Sequence, residues 1–82
     1  MQYTPEMATA FKAIKPPQNF GVTLYENDDF LTMEIDPKEL LNISKEKAIE
    51  ITAYINNIKK MLESFGAVVF IVRNSIEKSN DD

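Results

Sequence analysis

Near its C-terminal end the chain runs Ala67-Val68-Val69-Phe70-Ile71-Val72, six apolar residues in a row, most of them β-branched or aromatic. The run is too short for a buried helix and has the side chains of a strand. Its positions do not alternate with polar ones, so a strand built from it needs cover on both faces. The rest of the chain can be judged by how much of that cover it supplies.

The residues before the run form the longest helical pattern. Ala48, Ile51, Ile55, Ile58, Leu62 and Phe65 recur at spacings of three and four, which predicts a helix from about Lys45 to Phe65. At 1.5 Å per residue it is roughly 30 Å long. Ser44 is its N-cap, Glu46 sits favourably at its positive end, and Gly66 is its left-handed stop. Upstream, Asp36-Pro37-Lys38-Glu39 is a second helix start, read as a short turn that breaks before Ser44. If that break were absent, the helix would begin at Pro37 and overhang a small sheet.

Earlier still, the period is two. Phe20, Val22 and Leu24 alternate with Gly21, Thr23 and Tyr25, and Leu31, Met33 and Ile35 with Phe30, Thr32 and Glu34. The polar cluster Glu26-Asn27-Asp28-Asp29 joins the two runs, so they form a β-hairpin. At the N-terminus, Thr4 and Pro5 open a short helix whose stripe is Met7, Ala10, Phe11 and Ile14, ended by Pro16-Pro17. The last nine residues, Asn74 to Asp82, are polar and acidic and are expected to fray.

The expected fold is a single α+β domain over residues 1–82, a two-layer sandwich of order α-β-β-α-β. Its three-stranded, mainly antiparallel sheet is expected in strand order 3-1-2, with the third strand beside the first. The alternative, a parallel crossover, would put the third strand beside the second. The long helix takes one sheet face, through Leu24, Met33 and Phe70 or their pleat neighbours.

An 82-residue chain buries only about 60–65% of the surface its unfolded form exposes, and such small cores commonly need a staple. With no Cys and no His, disulfides and a structural zinc site are closed to it. Oligomerisation remains. The same absences remove the usual proton shuttle and thiol nucleophile, and two glycines cannot build a phosphate-cradling loop. The reading is therefore a non-enzyme with no cofactor and no metal. Glu34 with Asp36 is the one conceivable carboxylate pair, and strand ends carry such residues routinely. The loop from Glu26 to Asp29 lacks the ligand spacing of a calcium loop.

A net charge of -4 and a single arginine, Arg73, argue against direct nucleic-acid binding. No apolar stretch approaches the ~20 residues of a spanning helix, and the N-terminus has no signal-like pattern, so no membrane role and a cytoplasmic location are expected. The second face of the last strand collects Val69 and Ile71, or in the other phase Val68, Phe70 and Val72, together with Tyr25, Phe30 and Thr32 of the hairpin. Two readings, which can both hold, are that the N-terminal helix folds over it through Met7, Phe11 and Ile14 and that part stays open for another copy or partner.

The residues expected to carry that contact are Tyr25, Phe30, Val69 and Ile71. A lesser candidate is the long helix, whose apolar arc Ile49, Tyr54 and Met61 widen. The functional expectation is a non-catalytic protein–protein interaction module that self-associates as a dimer. Alternatives are a small acidic viral accessory protein that blocks a host protein in the host cytoplasm, using Glu26, Asp28, Asp29 and Asp36 as phosphate mimics, or a structural component of a larger particle. Richness in Ile, Lys and Asn, as from AT-rich coding DNA, suits a virus or a low-GC bacterium.

Overall fold

The computed structural model describes residues 3–73, so the acidic stretch from Asn74 onward lies outside the described residues. Helix α1 spans Pro5–Ala13, β1 Val22–Glu26, β2 Leu31–Ile35, a 3-10 turn Pro37–Leu40, α2 Lys45–Ser64 and β3 Val69–Arg73. This is the expected α-β-β-α-β order.

The local signals act where the sequence puts them. The Thr4 hydroxyl accepts the Met7 N–H at 3.2 Å, and Pro5 occupies the first helical position. The Asp36 carboxylate caps the 3-10 turn through the Lys38 N–H at 2.9 Å. Asn42 then takes a left-handed conformation, φ 57°, which a helix cannot continue through. The chain breaks there and restarts with the Ser44 hydroxyl accepting the Lys47 N–H at 3.0 Å. The helix therefore does not reach back to Pro37. It ends at Gly66, whose φ of +91° suits a residue without a Cβ.

The sheet order is β1-β2-β3, not 3-1-2. β1 and β2 form the antiparallel hairpin, with Leu24 opposite Met33. β3 lies parallel to β2, with Leu31 opposite Val69 and Met33 opposite Ile71. The 3-10 turn and α2 together form the long crossover that a parallel neighbour requires. The physical reason for this choice is visible at β2. Its Leu31, Met33 and Ile35 are all buried, as suits a central strand paired on both sides. Phe30, just before β2, stacks edge-on against Phe70 with ring centroids 4.8 Å apart. Placing β3 beside β1 would forfeit that pair and separate two consecutive elements.

All the burial lies on one side of the sheet. Ile51, Tyr54, Ile58 and Leu62 of α2 meet Leu31, Met33, Ile35 and Val69, joined by Met7 and Phe20. Tyr54 is thus a core residue, its ring edge-on to Phe20 at 6.0 Å, while Phe65 caps the helix half-exposed. The sequence stripe had these two the other way round. α1 joins α2 in the same helical layer. Its Met7 is 1% exposed, and Phe11 and Ile14 pack on the same cluster. The result is a slab measuring 35 × 35 × 15 Å, with helices on one face only.

Candidate functional site

Among the described residues, no element covers the other face of the sheet, which is bare. In β2, Leu31, Met33 and Ile35 point to the helices, so Thr32 and Glu34 point away. Pairing carries the same phase to the neighbours: Tyr25 and Thr23 on β1, Phe70 and Val72 on β3. Phe70 is 51% exposed and Tyr25 49%. With Val68, Val72 and Phe30 they make an aromatic and β-branched patch that neither helix touches.

The face has two characters. On the hairpin side, the Tyr25 hydroxyl donates to the Glu34 carboxylate at 2.7 Å, and the Asn27 amide donates to the Thr32 hydroxyl at 2.8 Å. That hydrogen bond, then the Glu34 charge, hold the Tyr25 phenol above its ordinary pKa. On the β3 side no polar side chain interrupts Phe70 and Val72. The hairpin half is wet and the β3 half is greasy.

β3 is also an edge strand. The Leu31 N–H donates to the Val68 carbonyl at 2.8 Å. In a ladder, successive residues turn their backbone groups to alternate sides, so Val68, Phe70 and Val72 serve β2. Val69, Ile71 and Arg73 present their N–H and C=O groups to the free side. This edge carries no Pro, and its one charge, Arg73, stands at its end. The other edge, β1, ends in Glu26, whose carboxylate accepts the Tyr3 N–H at 3.2 Å. Natural sheets shield edges with charge, Pro or bulges, and β3 has almost none of these.

Of the four residues expected to meet a partner, Tyr25 and Phe30 lie on the bare face. Val69 and Ile71 do not. Val69 is 7% exposed and belongs to the core; Ile71 shares its face but, at the sheet edge, stays 42% exposed. Phe70 and Val72 take their place. A run without a polar residue from Ala67 to Val72 has no period-two phase to read, and only the pairing with β2 supplies it. The N-terminal helix does not cover the bare face, since it docks beside α2.

Glu34 and Asp36 line one shallow depression with Glu39, Gly21, Val22 and Thr23. Each carboxylate is used locally, Glu34 by Tyr25 and Asp36 by the 3-10 turn. Among the described residues no group of three His, Cys, Asp or Glu side chains could hold a metal ion. In the loop, Glu26 serves Tyr3, and the Asn27 N–H bonds the Phe30 carbonyl at 2.9 Å. Along α2, Ile49 is 64% exposed and borders a shallow groove with Ala48, Thr52 and Ala53. Among the described residues no helix is long and apolar enough to cross a membrane. Compared with protein-family models, curated proteins and solved structures, the chain matches none of them.

Proposed function

We propose that this protein is a non-catalytic interaction module that self-associates, as a homodimer, through the β3 side of its sheet. The observation that carries the reading is the bare face itself: Phe70, Val72 and Val68, each at least 41% exposed, beside a strand edge with unpaired backbone groups. Contiguous apolar surface of this kind marks interaction sites in soluble proteins. A second copy along the β3 side would add buried contacts to a small chain that has no disulfide to staple its core.

Light scattering across a concentration series tests this directly. The chain is expected to run as a dimer at micromolar concentration and to fall towards the monomer mass on dilution. Phe70→Lys and Val72→Lys are expected to give monomers with native circular dichroism. A monomer at every concentration would overturn the proposal. Val69→Lys is unsuitable for this purpose, because it places a charge in the core and unfolds the chain whatever its assembly.

A further inference from the structure

Resting on that reading, we infer that the contact is an antiparallel pairing of β3 with β3 of a second copy about a two-fold axis through Ile71, making one continuous six-stranded sheet. The backbone restricts the choice. Among the described residues of β3, Val69, Ile71 and Arg73 turn their backbone groups to the outer edge, so an added antiparallel strand bonds β3 through these odd-numbered positions. A two-fold axis at Ile71 pairs all five residues of the strand, Ile71 with the partner's Ile71 and Val69 with the partner's Arg73. A slip of two residues either way shortens the overlap. Such a slip moves the axis to Phe70 or Val72 and leaves only three of the five strand residues paired.

Side chains favour the same register. On the bare face, Phe70 comes opposite the partner's Val72, twice by symmetry, so the greasy half of each sheet continues into the other. On the helix side, Arg73 arrives beside Val69 of the facing copy, where the C-terminal end of α2 turns into β3. That end carries the negative pole of the helix, and its last turn has no basic residue. Arg73 of the other copy adds a cation at this end, where Lys59 already pairs with Glu63. This charge match, together with the self-complementary register, selects a second copy rather than a foreign strand as the occupant.

The chain has no cysteine, so single-cysteine variants report distances without background. At a hydrogen-bonded antiparallel pair, Cα atoms lie about 5.5 Å apart, within disulfide reach. Ile71→Cys is expected to give covalent dimers under mild oxidation. Phe70→Cys alone would sit about 8 Å from its own copy and is expected to link poorly. A mixture of Phe70→Cys and Val72→Cys chains is expected to link well. Arg73→Gln is expected to weaken dimerisation by roughly threefold to thirtyfold at low salt, since the contact occurs twice. Circular dichroism of each variant confirms that the chain remains folded.

A dimer by light scattering in which Ile71→Cys does not link, or links no better than Phe70→Cys, would overturn the edge pairing while leaving self-association intact. A chain that stays monomeric at every concentration would overturn self-association itself, and the pairing with it.

Discussion

The residues that matter most to folding are those with no exposed area: Leu31, Met33, Ile58 and Leu62 meet at the centre of the slab. One helical layer on one sheet leaves no second core to share the load. Truncating any of them removes apolar burial and leaves a cavity, at about 2–5 kcal/mol. Ile58→Ala is therefore expected to lower the urea midpoint sharply or to unfold the chain outright. Val72→Thr, on the bare face, should leave the midpoint of the monomer within about 0.5 kcal/mol of its starting stability.

A second residue-scale expectation concerns alkali. Tyr54 titrates above its ordinary value of 10.0 because burial penalises the phenolate, as does Tyr3, and Tyr25 because Glu34 holds its proton. A raised pKa in the folded state means that the unfolded chain loses those protons first. The corresponding stability is present below about pH 10 and declines as pH rises past it. Urea midpoints from about pH 8 to about pH 11 should show that decline, and Tyr54→Phe should flatten it. Tyr25 is exposed, so its share is small.

At the scale of elements, the two glycines separate a conformational demand from a steric one. A Cβ at either would meet nothing within 4 Å. Gly66 is at φ +91°, so Gly66→Ala is expected to cost about 1–2 kcal/mol through backbone strain alone. Gly21 carries no such constraint. Gly21→Ala is expected to be neutral or to stabilise by up to about 1 kcal/mol, by restricting the unfolded chain. Chemical denaturation of the two variants checks both signs.

These stop and start signals are why so much of the element map was legible in the sequence. Thr4-Pro5, Asp36-Pro37, Ser44 and Gly66 each act on the backbone within one turn, so they can be read locally. The order of strands could not be read that way. It depends on Phe30 meeting Phe70 and on β2 being buried on both flanks, contacts between residues forty apart in the chain. The doubly apolar run showed that a second face needed cover but left open whether the N-terminal helix would supply it. Which side chains occupy that face was not legible, because Val68 to Val72 offer no alternation from which to take the phase.

For the whole molecule, one geometric fact governs: two helices share a layer, and among the described residues nothing covers the opposite face of the sheet. If a second copy pairs with the β3 side of this sheet, folding and association are linked, and apparent stability must depend on protein concentration. A ligand that binds only the folded state stabilises it by RT ln(1 + [L]/Kd), and here the ligand is the protein itself. Each tenfold rise in concentration above Kd should then raise the apparent stability, moving the thermal midpoint upward by a few degrees for a domain of this size. A chain bearing both Phe70→Thr and Val72→Thr has β-branched residues, which a strand favours, at both positions but loses the greasy surface. Its midpoint should be independent of concentration and should lie below that of the native chain at high dilution, because the Phe30–Phe70 ring contact, worth about 0.5–1.5 kcal/mol, is lost. Scanning calorimetry over a hundredfold concentration range separates the two cases. A native chain whose midpoint does not move would mean that the bare face adds nothing to stability through self-association.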